Sequence, residues 1–161
     1  MPTAFVLTVS DGVFAGTRKD ESGAALAAQL MDIGFDAERA VVPDEVEEIA
    51  RAVAGAAETH ALVVATGGTG LGPRDTTPQA LHGLLDYEIP GFGELMRAHG
   101  RASTPMADLS RSLAGALGRC LVVAVPGSRR GALASLAAIE PLLEHALETL
   151  GGRTQHADAQ G

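Results

Sequence analysis

Three runs of apolar, mostly β-branched residues constrain this chain more than any other feature. They are Ala4-Phe5-Val6-Leu7-Thr8-Val9, Ala61-Leu62-Val63-Val64-Ala65 and Leu121-Val122-Val123-Ala124-Val125. None alternates apolar with polar residues, as a strand with one wet face would. Strands buried on both faces belong to parallel sheets covered by helices on either side. Composition supports this. Hydrophobic residues make up 46% of the chain but only five of its 161 residues are aromatic, so the core is Ala, Val, Leu and Ile.

The segments between these runs have helical spacing. Leu26, Leu30 and Ile33 mark a helix over about 22–33, with Gly34 as its C-terminal cap. Ala37 to Val42 reads as a shorter strand nearer an edge, ended by Pro43. Asp44 then opens a helix carrying Val46, Ile49, Ala50 and Val53 on one face, and Asp44 with Glu47 forms a capping box. Thr77-Pro78 starts another helix with Pro at its first position. Pro90-Gly91 breaks that helix, and Phe92 to Arg97 begins a short further one that ends at Gly100. The stretch Ala107 to Leu113 fits either a strand or a helix. The last segment carries Leu133, Leu136, Ile139, Leu142, Leu143, Leu147 and Leu150, with Pro141 kinking or splitting it. From Gly151 the chain reads as a polar, disordered tail.

The order β-α-β-α-β-loop-α-α-β-α predicts one α/β domain over 1–150, a three-layer α/β/α unit on a mostly parallel sheet. A net charge of -8 and the scarcity of aromatics exclude a nucleic-acid backbone or base-stacking surface. Cys120 has no partner for an intrachain disulfide and reads as apolar filler. The five histidines (His60, His82, His99, His145, His156) lack metal-ligand spacing and read as surface residues. No signal peptide or membrane span is visible, so the expected location is cytoplasmic, with no membrane partner.

Ligands of such sheets bind at the C-terminal ends of the strands. Four post-strand segments would meet there: Ser10-Asp11-Gly12, Pro43-Asp44-Glu45, the loop from Thr66 to Asp75, and Pro126-Gly127-Ser128. The loop Thr66-Gly67-Gly68-Thr69-Gly70-Leu71-Gly72-Pro73-Arg74-Asp75 joins a buried strand to a helix start, a setting suited to an anion. Carboxylates, free backbone N–H groups, hydroxyls and arginines together fit a Mg²⁺-bridged phosphate. The loop is not a Walker motif, because Gly72 precedes Pro73-Arg74. Nor is it a dinucleotide motif, because Pro73 stands where the third glycine belongs.

Thr66-Gly67-Gly68-Thr69-Gly70 followed by Arg74-Asp75-Thr76-Thr77-Pro78 resembles the signature of the molybdopterin-binding family of molybdenum cofactor biosynthesis, the MogA/MoaB type. Val42-Pro43-Asp44-Glu45, Pro90-Gly91-Phe92-Gly93-Glu94, Leu109-Ser110-Arg111 and Pro126-Gly127-Ser128 agree in order and spacing, from Ser10 to about Leu150. The resemblance implies adenylylation of molybdopterin by ATP with Mg²⁺, releasing pyrophosphate. It places the catalytic, Mg²⁺-holding aspartates at Asp44 and Asp75. Gly67, Gly68, Thr69, Gly70 and Ser110 would hold the pterin and its phosphate, with Gly127 and Ser128 lining the same pocket beside Ser10 and Asp11. A homotrimer and a downstream molybdenum-inserting enzyme as partner are also implied. Some members of the family bind pterin without adenylylating it, which leaves a non-catalytic pterin-binding oligomer as the alternative. Two departures bear on that choice. Gln79 stands where an acid is usual, and Arg129-Arg130 where Pro-Lys is common; the first removes an acid near the site and the second adds positive charge to it.

Without the resemblance, blander roles stand beside these. Asp44 is an N-cap, Asp75 a turn-former before Thr76, Ser110 an ordinary polar residue, and Arg129 and Arg130 a solvated pair.

Overall fold

The computed structural model describes residues 1–153. Its strands are β1 (Thr3–Val9), β2 (Asp36–Val42), β3 (Leu62–Thr66), β4 (Tyr87–Glu88), β5 (Leu113–Leu117) and β6 (Cys120–Val125). They form one sheet in the order β2-β1-β3-β6-β5-β4. The first four are mutually parallel, whereas β5 and β4 run antiparallel at one edge. The helices are α1 (Asp11–Phe14), α2 (Glu21–Asp32), α3 (Val46–Ala57), α4 (Thr77–His82), α5 (Pro90–Gly100) and α6 (Arg129–Leu150), with a 3-10 turn over Pro105–Leu109.

The register explains why the apolar runs do not alternate. Val6 lies opposite Val64, and Val64 opposite Val123. This row packs with Leu26, Leu30, Phe92, Met96, Leu136 and Ile139 from α2, α5 and α6. The next row, Leu7, Ala65 and Ala124, faces the other way onto Ile49, Val53, Ala80 and Leu81 from α3 and α4. Both faces of each central strand are therefore dry, and the α/β/α layering follows. Cys120 belongs to the second layer as filler, and burial pushes its thiol up to about 12.

The helix ends have local causes. Asp20 caps α2 by accepting from the Gly23 N–H at 3.0 Å. At the other end Gly34 and Phe35 donate to the Met31 and Leu30 carbonyls, a Schellman closure. Ser128 caps α6 through the Gly131 N–H at 3.1 Å.

Several local expectations are corrected. Helix α3 starts at Val46 with Glu45 as its N-cap and no side-chain cap bond, so Asp44 forms no capping box with Glu47. Pro78 is the second residue of α4, after Thr77, and Pro90 begins α5 instead of merely breaking the chain. Ala107 to Leu113 is neither one strand nor one helix: the 3-10 turn ends at Leu109 and β5 starts at Leu113. Strands β4 and β5 were not anticipated. Helix α6 continues through Pro141, because Leu136, Ile139, Leu143 and Leu147 on both sides of it sit in one core layer. His60 is not a surface residue. Its side chain is 9% exposed, stacks edge-on against Phe5, and meets the Ala56 carbonyl and Glu38. His156 and most of the expected tail lie outside the described residues.

Leu136→Ala should lower unfolding free energy by about 2–5 kcal/mol in a urea titration, as cavity-forming core substitutions do. Leu142→Ala, on the exposed side of the same helix at 39% exposure, should change it by about 0.5 kcal/mol or less.

Candidate functional site

The parallel strands β1, β2, β3 and β6 end at one edge, where a cleft of about 1120 Å³ opens. Ser10, Asp44, Gly67, Gly68, Thr69, Gly70, Asp75, Ser110, Gly127 and Ser128 all line it. The structure thus brings together every candidate residue except Asp11.

Asp11 does a different job. Its N–H donates to Asp44 Oδ2 at 2.8 Å, and the Asp44 N–H donates to Asp11 Oδ1 at 2.9 Å. Arg74 reaches both Asp11 oxygens at 3.1 Å and Glu45 at 3.0 Å. Three post-strand loops are thereby tied together behind the cleft. The Arg74 guanidinium holds the Asp11 carboxyl below its usual range, and Asp11 and Glu45 raise Arg74 in turn. Arg74 is consequently occupied by protein carboxylates.

The glycine loop has a polarity that decides its chemistry. The Gly67 carbonyl accepts from Thr77 Oγ1 (2.8 Å) and the Gly68 carbonyl from the Thr77 N–H (3.1 Å). The Thr69 carbonyl accepts from the Arg111 N–H (2.9 Å), and the Gly70 carbonyl from Arg111 Nη2 (2.8 Å) and Nε (3.0 Å). Four consecutive carbonyls are therefore satisfied from within the chain. Among the described residues, the N–H groups of Gly68, Thr69 and Gly70 meet no acceptor. Carbonyls tied up and amides left over make a nest for an anion. Gly67 and Gly68 have φ of 111° and 68°, and a Cβ at Gly67 would strike the Val9 carbonyl, so only glycine fits.

Asp75 closes the far end of the loop. Its Oδ2 accepts from the Gly72 N–H at 2.9 Å, and its own N–H donates to the Gly72 carbonyl. It is both a turn-former and a cleft residue. Asp44 lines the same cleft, and its pKa is raised by desolvation first and by the charges of Asp11 and Asp75 as well. Each of Asp44 and Asp75 is anchored through Oδ2, and Oδ1 makes no hydrogen bond to the chain among the described residues.

Ser110 Oγ pairs with Ser112 Oγ at 2.8 Å, and Arg97 donates to both their carbonyls. Ser112, Arg97, Arg18 and Lys19 line the cleft and were missed. Ser112 and Arg97 carry no sequence signal, whereas Arg18 and Lys19 are basic residues shortly after the end of β1, which is a signal the sequence does offer. Arg129 and Arg130 also line it, and so are not a pair facing only solvent. Gln79 does not line it; its Oε1 accepts from Arg111 Nη1 at 3.3 Å behind the loop.

Fold and cleft together define an α/β domain with an anion nest at the strand ends. A family model described as a probable molybdopterin binding domain matches residues 5–145. The chain belongs to this molybdopterin-binding family, of the MoaB/MogA type. A molybdenum cofactor biosynthesis bifunctional protein of Synechococcus elongatus is 42% identical over 98% of this chain and 50% of its own length. A molybdopterin adenylyltransferase of Helicobacter pylori is 33% identical over 91% of this chain and 86% of its own. The crystal structure of the molybdopterin biosynthesis enzyme MoaB from Thermus thermophilus is similar, at 44% identity and a TM-score of 0.86, covering 94% of this chain and 98% of that one. The chain spans about half the length of the bifunctional relatives it matches.

The raised pKa of Asp44 has a stability consequence. A carboxyl raised in the folded state favours folding below its unfolded pKa, and that contribution is lost as pH rises through the folded value. Asp44→Asn should therefore melt at or above the wild-type temperature at pH 7, with the gap narrowing as pH falls through the raised value. Scanning calorimetry across pH checks this, and a variant that melts well below wild type at pH 7 would contradict it.

Proposed function

We propose that this protein adenylylates molybdopterin in molybdenum cofactor biosynthesis. The observation that carries the reading is the polarity of the glycine loop, with carbonyls of residues 67–70 held inward beside two cleft carboxylates. The name of the Helicobacter pylori relative supports the reaction type. In the reaction an oxygen of the terminal phosphate of molybdopterin attacks the α-phosphorus of ATP. A new P–O bond forms, the bond from the α-phosphorus to the α,β-bridging oxygen breaks, and pyrophosphate leaves with that electron pair.

Nucleotidyl transfer depends on placement and charge neutralisation more than on proton transfer. The amides of Gly68, Thr69 and Gly70 hold the attacking phosphate, with the Ser110 and Ser112 hydroxyls beside them. Arg18, Lys19, Arg97, Arg129 and Arg130 offset the charge of the nucleotide phosphates. Asp44 and Asp75 suit Mg²⁺. They line one cleft, each has an unbonded Oδ1, and Asp44 senses the charge of Asp75. Among the described residues no group of three or more His, Cys, Asp or Glu forms an all-protein cage, and Mg²⁺ is commonly held by one or two carboxylates plus substrate phosphates. Asp44 and Asp75 would hold it, and it would supply positive charge to neutralise the charge that develops on the reacting phosphates.

Gln79 has less weight for the non-catalytic alternative than its identity suggests, because it sits behind the loop on Arg111 and not in the cleft. Self-association as a trimer belongs to the same proposal. Among the described residues no helix is long and apolar enough to cross a membrane.

Wild-type protein incubated with molybdopterin, ATP and Mg²⁺ should yield adenylyl-molybdopterin by mass spectrometry. Asp75→Ala should lower the rate about 100-fold or more, the size of loss seen when an electrostatic group of a transition state is removed. Equal, negligible yields from wild type and Asp75→Ala would sink the catalytic reading.

A further inference from the structure

Arg111 contacts the glycine loop from behind, and it does not line the cleft. Its N–H donates to the Thr69 carbonyl at 2.9 Å, Nε and Nη2 to the Gly70 carbonyl at 3.0 and 2.8 Å, and Nη2 to the Asp75 carbonyl at 2.7 Å. Nη1 rests on Gln79 Oε1 at 3.3 Å. The guanidinium therefore spans both ends of the segment 70–75 in one rigid fork. Among the described residues no carboxylate pairs with it: Arg74, Arg101, Arg51 and Arg39 all have carboxylate partners, and Arg111 has only carbonyl oxygens and an amide.

Two physical effects follow. First, the fork fixes the Gly70 and Asp75 carbonyls on the side away from the ligand, which leaves the loop amides for the ligand. Without it the peptide planes at residues 69–71 are free to turn, and a carbonyl oxygen facing the cleft repels a phosphate. Second, a guanidinium with no counter-charge stands just behind the nest and adds positive potential to it. The other end of the loop, held by Thr77, needs no such help.

We propose that Arg111 is the positioning residue of the phosphate nest, setting affinity for the phosphate of the pterin substrate without touching it. This rests on the assignment of that phosphate to the loop made above. Arg111→Lys keeps the charge but cannot bridge Gly70 and Asp75 together, so it separates geometry from charge.

The test titrates molybdopterin anaerobically into wild type, Arg111→Lys and Arg111→Ala by pterin fluorescence, and measures turnover separately. Arg111→Lys should bind molybdopterin about tenfold more weakly, the effect of losing charge-assisted hydrogen bonds that hold a site in shape, and Arg111→Ala, which loses the positive charge as well, more weakly still. The KM for molybdopterin should rise in parallel and that for ATP stay within about twofold. Guanidinium ion should restore part of the affinity of Arg111→Ala, and an equal concentration of sodium should not. Unchanged molybdopterin affinity in Arg111→Lys, in protein with a wild-type melting temperature, would overturn the assignment. So would a loss of kcat with both KM values unchanged, which is what a smaller folded fraction produces. Binding without turnover in wild type would count against adenylylation only, since the Arg111 comparison is read from affinity.

Discussion

Everything at the cleft depends on the parallel ladder of β2, β1, β3 and β6. Parallel strands that share a direction also share an edge at which they all end. The ladder stops there, and the backbone must turn away from it within two or three residues. In this chain one strand feeds Ser10, the next Asp44, the next Gly67 and the last Pro126 and Gly127. The turns crowd together: a Cβ at Gly127 would lie 3.2 Å from the Gly67 Cα, and one at Gly67 would meet the Val9 carbonyl. Close approach of three strand ends excludes side chains and leaves backbone to face the ligand. Backbone donors in a fixed frame need little reorganisation when an anion arrives.

The same edge concentrates negative charge, and the chain separates it into two kinds. Asp11 is neutralised by Arg74 and accepts the Asp44 N–H, so it serves to hold its neighbour. Asp44 and Asp75 have no cationic partner within ion-pair distance among the described residues. A reciprocal bond between two aspartate backbones and side chains would be an unhelpful way to gain stability alone, since it sets two carboxylates side by side. Its effect is positional. It fixes the carboxyl of Asp44 across a sequence gap of 33 residues without spending both its oxygens.

What could be read from the sequence divides along the same physical line. The strands β1, β3 and β6 were legible because burial on both faces writes itself into every residue. Helices α2 and α3 were legible by spacing. Strands β4 and β5 were not, because Tyr87-Glu88 is too short to carry a pattern and Leu113-Ala114-Gly115-Ala116-Leu117 is weakly β-forming; β5 is paired by the adjacent β6, and β4 by β5. Asp44 was found as a residue and misread as a cap, since the local Asp44–Glu47 pattern loses to a tertiary partner at Asp11. Arg111 stood inside a recognised motif, yet its role could not be read. Its main partners are carbonyl oxygens, which every residue possesses and no sequence displays.

The charge distribution argues for how such a cleft can serve an anionic substrate on an acidic chain. The net charge is -8, yet five of the twelve Lys and Arg residues line the cleft, against three of the twenty Asp and Glu residues. Acidic groups elsewhere on the surface are screened within about 8 Å at physiological ionic strength, so the local excess of cations decides what enters. Asp44 and Asp75 then look out of place, as two carboxylates without an ion-pair partner among the described residues beside a nest of free amides. Burial first, and the neighbouring charges of Asp11 and Asp75 after it, raise the pKa of Asp44. Asp44 and Asp75 each keep an oxygen unbonded within that cationic cleft, and such a pair of carboxylates is the kind of oxygen donor set that would hold a small divalent cation and let its charge offset theirs.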